Sequence, residues 1–253
     1  MGVYFFSKAW NYERNVSGIG SAGDIAGHPP SSAFDYDMLS YWENDGATPS
    51  LIIDLGQARV IDSLFLKEAM ITTFKLYHSD NGADWTEVVD AGLIEKEVGI
   101  WWWFGFTEVN KRYWKIEVTA KGAGNVKIYE IMLMELKLAL TADRDLPSMV
   151  TIIPKDTIGG AYGLVDGSTT SYAGTKAYSE ISIEFKNTPS DTYDDLYELY
   201  ISPSLRYPLV IIPDDDKPSY IYRCIWSDIP FDFKYSQSLK LSGFDGVMKL
   251  IEY

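Results

Sequence analysis

The chain has 253 residues, 46% of them hydrophobic and 15% aromatic, with one cysteine and two histidines. So apolar a composition excludes a disordered chain and provides for one large domain or two ordinary ones. The 36 acidic residues outnumber the 22 basic ones, and the net charge of −14, with no basic cluster, excludes nucleic acid as a charge-held partner.

Residues 1–32 open with Met1-Gly-Val-Tyr-Phe-Phe-Ser-Lys8, which has neither the basic start nor the apolar stretch of a signal peptide. Gly18-Ile-Gly-Ser-Ala-Gly23 matches the dinucleotide pattern G-x-G-x-x-G. That pattern works only between a buried strand and a helix, and neither Asn11–Val16 before it nor His28-Pro-Pro30 after it supplies one. Nucleotide binding is set aside, and 1–32 is read as a flexible arm or edge segment.

From residue 33 strand signals dominate. Leu51–Leu55, Ile61–Leu66, Thr73–Tyr77, Trp101–Phe106, Tyr113–Thr119 and Val126–Met134 are short runs rich in β-branched and aromatic residues, separated by turns such as Asp80-Asn81-Gly82 and Lys121–Asn125. This spacing predicts an antiparallel β-sandwich over 33–137, in a jelly-roll arrangement, and not alternating βαβ units. Residues 138–150 read as a linker. A second, mostly β domain over 151–253 carries Met149–Pro154, Glu180–Phe185, Leu209–Pro213, Tyr220–Trp226 and Val247–Glu252. Within it Tyr193, Leu196, Tyr197 and Tyr200 fall at helical spacing behind Ser190 and Asp191, either of which suits a cap, so one short helix is expected. No run of about 18 apolar residues occurs, so no membrane span is expected.

Several features of the first half follow a familiar order: Ala33-Phe34-Asp35-Tyr36-Asp37, Tyr41-Trp42, Leu51-Ile-Ile-Asp-Leu-Gly56, Ser79-Asp-Asn-Gly-Ala-Asp-Trp85, Arg112-Tyr-Trp-Lys-Ile116 and Tyr129-Glu-Ile131. In this combination the segment 33–137 resembles the discoidin family, the coagulation-factor C-type, galactose-binding-like β-sandwich. The resemblance implies a structural calcium near residues 35–42, with Asp35 and Glu130 at the positions of its carboxylate ligands. The loop reads Asp-Tyr-Asp where the family has Asp-Gly-Asn, and two carboxylates are only part of a calcium shell. The other reading has Asp35 capping a turn and Glu130 facing solvent. No other cofactor is expected.

Physical reading of the same segment gives Asn81-Gly82 positive φ for a tight hairpin and makes Tyr113, Ile116 and Val118 inward residues after a change of phase. In Trp101-Trp102-Trp103, if Phe106 faces the core then Phe104 and Trp102 share that face, and Trp101 and Trp103 point outward. Exposed indoles cover something. They make either a sugar-stacking platform or an interface between domains or subunits, and the interface is favoured because Trp is enriched there.

Few residues suit catalysis. His28 lies beside prolines, His78 at a strand end, and Cys224 in a strand-like run where it reads as packing; no zinc spacing and no serine–histidine–acid pattern links them. Asp214-Asp-Asp-Lys-Pro218 reads as a solvated turn. The end of the chain, Tyr220–Trp226 with Ser242–Glu252, resembles bacteriophage tail structural proteins. One cysteine permits no internal disulfide, and a discoidin-like module without disulfide or export signal suits a protein released by lysis. The expectation is a non-enzymatic structural component of a bacteriophage virion (tail, baseplate or adaptor), made in the host cytoplasm. Its expected partners are copies of itself, other virion proteins and host surface glycans. The alternative is a stand-alone carbohydrate-binding protein with an accessory β domain. A third class is a glycoside hydrolase carrying a binding module, for which no carboxylate pair stands out.

Overall fold

A computed structural model describes residues 2–6, 9–12, 16–35, 37, 39–69, 71–90, 101–141, 147, 149–155, 161–163, 169–171, 178–201, 209–213, 221–237 and 242–252. The turn expected at Asp214–Pro218 lies outside these. The chain divides into two compact units, one chiefly Phe6–Lys137, the other made of Met1–Phe5, Leu138–Asp215 and Tyr222–Tyr253. The fold is mostly β, with two large antiparallel sheets and one short helix, as the strand-rich sequence predicts.

Strand β1 (Val3–Phe6) lies in the sheet of the second unit. The first unit holds β2 (Ser17–Gly20), β3 (Trp42–Asn44), β4 (Ser50–Ala69), β5 (Ile71–Ser79), β6 (Thr86–Asp90), β7 (Trp101–Lys121) and β8 (Val126–Met134). Their order is β3-β8-β4-β7-β5-β6, with β2 also paired to β4. Strands β4 and β7 each span what the sequence suggests are two strands. Irregularities between Asp54 and Arg59, and between Ile61 and Ser63, keep β4 continuous while shifting its phase. Its core residues therefore run Leu51, Ile53, Leu55 and Ile61, then Leu64 and Leu66. Trp42 and Trp114 are fully buried among them and, as the largest apolar side chains there, remove the most surface from water.

Strand β8 changes phase by the same device. Lys67 pairs with Glu130 but Glu68 pairs with Ile128, so Tyr129 is an extra, bulged residue. Val126 and Ile128 before it, and Ile131 and Leu133 after it, all reach the core. In β7, Trp114, Ile116 and Val118 are the inward residues. The expected inward Tyr113 instead lies under the Arg112 guanidinium at 4.7 Å, so the phase change assigned there belongs to β4 and β8.

The segment expected as an arm over 1–32 contains β1 and β2. Gly18 and Gly20 serve packing in β2: a Cβ on Gly18 would lie 2.7 Å from the Phe34 ring, and one on Gly20 would overlap the Asp24 carboxylate. In the β5–β6 connection Gly82 takes φ +72°. Asn81 acts through its side chain instead, its Oδ1 accepting from the N–H groups of Ala83 and Asp84 at 2.9 Å each.

The second unit contains β9 (Leu136–Leu140), β10 (Met149–Lys155), the small pair β11 (Ala161–Gly163) and β12 (Thr169–Ser171), β13 (Tyr178–Thr188), α1 (Ser190–Ile201), β14 (Leu209–Ile212), β15 (Tyr222–Gln237) and β16 (Ser242–Glu252). The large sheet runs β10-β13-β16-β15-β14-β1-β9. Parts of the expected linker 138–150 are thus strand. Val3, Phe5, Leu138, Leu140, Ile181, Ile183, Met248 and Leu250 share one core with Leu196 and Leu199 of α1. Tyr197, expected on the packed stripe of the helix, is 42% exposed, because the leucines three apart take the buried face. Tyr193 stacks on Phe244 at 4.0 Å.

Candidate functional site

A grouping of polar and aromatic side chains in the first unit lies on the outer face of the β3–β8 pair. Glu43 is opposite Lys127 in this pair. Alternation turns Trp42, Asn44, Val126 and Ile128 inward, all fully buried, and leaves Tyr41, Glu43, Asn125 and Lys127 on the other side. Tyr129 joins them at the bulge.

A turn supplies the sixth residue. His28 N–H donates to the Ile25 carbonyl at 3.1 Å, and Gly27 takes φ +91° at the third position, a conformation glycine adopts without strain. This turn covers the open edge of β3: Ile25 N–H donates to the Glu43 carbonyl at 3.0 Å, and Glu43 N–H to the His28 carbonyl at 3.2 Å. His28 is thereby stacked on the Tyr41 ring, 4.1 Å between centroids and 11° between planes.

The groups around Tyr41 and Glu43 hold one another. Asn125 Nδ2 donates to Glu43 Oε1 at 3.0 Å, Lys127 Nζ lies 3.7 Å from that oxygen, and His28 Nε2 lies 3.8 Å from Glu43 Oε2. Lys127 Nζ also sits 4.5 Å from the centre of the Tyr41 ring and donates to its hydroxyl at 3.5 Å. Tyr129 tilts against Tyr41 at 5.0 Å. Partial burial alone would lower the Lys127 pKa. The Tyr41 hydroxyl, Glu43 and Tyr129 outweigh it, so the ammonium is held above its ordinary value and stays charged at neutral pH.

The face therefore offers two aromatic rings and an imidazole, donors from Asn125 and Lys127, and one carboxylate acceptor. The His28 side chain is 34% exposed and that of Lys127 30% exposed. No nucleophile stands beside a base here. The arrangement suits reversible binding of a ligand with hydroxyl groups and an apolar face.

The residues singled out from sequence lie elsewhere. Trp102, Phe104 and Phe106 pack on the core, which leaves Trp101 and Trp103 on the other face of β7. Trp103 is not a bare indole: Phe6 meets it edge-on at 5.5 Å, Phe65 stacks at 6.5 Å, and its Nε1 donates to Ser63 Oγ at 3.3 Å. Trp101, opposite Lys67, is half-buried.

Asp35 caps a turn, its carboxylate oxygens accepting from Ser40 Oγ at 2.8 Å and from Asp37 N–H at 2.9 Å. Glu130 does not face solvent. It is fully buried and accepts from the Tyr12 hydroxyl. Asn11, one residue earlier, donates to the Ile131 carbonyl at 2.7 Å and accepts from Leu133 N–H at 2.8 Å. Both carboxylates of the calcium expectation are thus engaged by protein donors. Among the described residues no three His, Cys, Asp or Glu side chains are grouped to hold a metal.

His78 sits 6.1 Å from the Trp114 ring. Burial and then Lys111 lower its pKa against the pull of Asp80. Cys224 is buried, and burial followed by Glu252 pushes its thiol up out of the reactive range. The β3–β8 face was missed because its residues come from three distant segments. The available signal was alternation: Tyr41-x-Glu43 in one short strand and Asn125-x-Lys127-x-Tyr129 in another.

Residues 17–131 match the F5/8 type C domain family, and the N-terminal region accordingly carries a discoidin-like domain of that type. No curated protein sequence matches the chain. Among solved structures, a chitosan-binding module of a chitosanase/glucanase from Paenibacillus sp. IK-5 is 18% identical, with 51% of this chain and 99% of that one covered and a TM-score of 0.46. The family 32 carbohydrate-binding module of NanJ from C. perfringens, solved with galactose, is 20% identical, with 53% and 100% covered and a TM-score of 0.44. No helix among the described residues is long and apolar enough to cross a membrane.

Proposed function

We propose that the F5/8 type C domain of this chain binds an uncharged glycan, without catalysis, on the face formed by His28, Tyr41, Glu43, Asn125, Lys127 and Tyr129. The observation that carries the reading is the convergence of these six side chains outside the core. Ring faces meet the apolar faces of sugars, while Asn125, Lys127 and Glu43 offer both senses of hydrogen bond to hydroxyls. The opposite charges of Lys127 and Glu43 stand 3.7 Å apart, which leaves little net field to select an ionic ligand. A glycan array followed by calorimetry tests this. Specific binding that weakens at least about tenfold, some 1.4 kcal/mol, in both Asn125→Ala and Tyr129→Ala supports it. An array on which nothing binds, or binding indifferent to both changes, overturns it.

The finer reading places the chain in a bacteriophage virion, where the second unit docks and the first contacts host glycans. It is supported by the resemblance of the closing segments, which form β15 and the mid-sheet strand β16. Mass spectrometry of purified particles from a phage carrying this gene is the test, and absence of the chain from those particles removes the reading.

A further inference from the structure

Strand β10 stands at one end of the large sheet of the second unit. Its register with β13 runs from Met149 opposite Glu184 to Lys155 opposite Tyr178, and among the described residues no strand pairs along its other edge. An edge of free N–H and C=O groups is a template for another strand, and proteins that avoid such pairing place charge there. The stretch Met149-Val-Thr-Ile-Ile153 has none, and the strand's one charged residue, Lys155, stands with Pro154 at its far end. Met149 is 48% exposed and Ile153 44%, while Val150 and Ile152 on the opposite face are half-buried against the core.

The stretch is complementary to itself. If two copies run antiparallel about Thr151, Met149 of each falls opposite Ile153 of the other. On the inner face Val150 falls opposite Ile152, and on the outer face, between Met149 and Ile153, Thr151 meets its own copy. Every apolar side chain left half-covered at this edge then gains an apolar partner on its own face, and the core rows of the two sheets continue across the seam. Such a contact is isologous and closes after two copies. Pro154, which has no N–H to give, stands outside the five paired residues.

We propose that β10 is a dimer seam: two copies pair β10 antiparallel across a two-fold axis at Thr151, joining their sheets edge to edge. The partner is a second copy of this chain, because the self-matching pattern Met149/Ile153 and Val150/Ile152 is what a two-fold demands. A five-residue seam is small, so the dimer forms in the micromolar range. It does not depend on glycan binding.

Sedimentation of the full chain from about 1 to about 200 µM, a range that brackets the expected micromolar association, is expected to show a monomer–dimer equilibrium. Ile153→Lys weakens it at least about tenfold, with the circular dichroism spectrum unchanged. Thr151→Cys forms a covalent dimer under mild oxidation, reversed by dithiothreitol, while the exposed control Lys249→Cys crosslinks far more slowly. Monomer at every concentration, a dimer indifferent to Ile153→Lys, or equal crosslinking of the two cysteine variants overturns the proposal. Should Ile153→Lys fail to fold, the comparison of the two cysteine variants decides alone.

Discussion

Asp54 and Arg112 form a two-pronged ion pair between β4 and β7: Nε lies 2.7 Å from Oδ1 and an outer guanidinium nitrogen 2.8 Å from Oδ2. Gly56 N–H donates to the same Oδ1 at 2.8 Å. The Arg112 hydrogen bonds, aided by Gly56 and resisted by partial burial, hold the Asp54 carboxyl below its ordinary pKa. A carboxyl depressed on folding stabilises fully above its unfolded value and stops doing so as pH falls through the folded one. Denaturation followed from neutral to acidic pH is expected to lose this contribution below the normal carboxylate range. In Asp54→Asn that part of the acid limb flattens, and an unchanged slope would count against the assignment.

Trp103 separates packing from binding. With Phe6 and Phe65 against its ring, Trp103→Ala is expected to destabilise the protein by about 2–3 kcal/mol in urea and to leave glycan affinity within about twofold, well under the tenfold step of 1.4 kcal/mol. A variant as stable as the parent that loses glycan binding would restore the sugar-platform reading.

Asp24, in the loop between β2 and β3, ties that loop to β3. Its Oδ1 accepts from Trp42 Nε1 at 2.7 Å and from Asn44 Nδ2 at 2.8 Å, and both donors sit on fully buried residues. Asp24→Ala leaves Trp42 Nε1 without this acceptor, while Asn44 Nδ2 keeps the Ser21 and Ala22 carbonyls at 3.3 and 3.4 Å, at a cost of about 1–3 kcal/mol. Gly20→Ala displaces the same carboxylate, so the double variant is expected to fall well short of the sum of the two. Additive costs in a double-mutant cycle would show the two sites to be independent.

Glu130 is tied to Tyr12. Tyr12→Phe removes that donor beside a buried carboxylate and is expected to cost about 1–3 kcal/mol. A calcium chelator, by contrast, is expected to leave the melting temperature unmoved, because Asp35 and Glu130 already have protein partners. A fall in melting temperature on chelation would return calcium to this domain.

The Cys224 thiol, buried and held protonated, is expected to ignore a thiol reagent in the native protein and to react fully in denaturant. Rapid labelling without denaturant would contradict its placement.

Alternation of apolar and polar residues made most strands legible. Val126–Met134 falls on β8, while Leu51–Leu55 and Ile61–Leu66 fall within β4. What alternation could not reveal is where a strand changes phase. The bulge at Tyr129 and the shifts within β4 arise from pairing with partners far along the chain, so no local window contains them. Ser17–Gly20 was illegible for another reason. Two of its four residues are glycines with no β preference of their own, and β4 imposes the extended form by pairing with them. The β3–β8 face has the same origin, since Tyr41 and Tyr129 meet only once Glu43 is opposite Lys127.

The position of β1 between β14 and β9 makes the sandwich an insertion. The second unit begins with the first residues of the chain, is interrupted at Phe6, and resumes at Leu138. During synthesis β1 is made before its neighbours and cannot gain β14 until Leu209–Ile212 has been made, so the inserted domain is free to fold while its host waits. A cut or tag within the first five residues would therefore register as damage to the far end of the sequence.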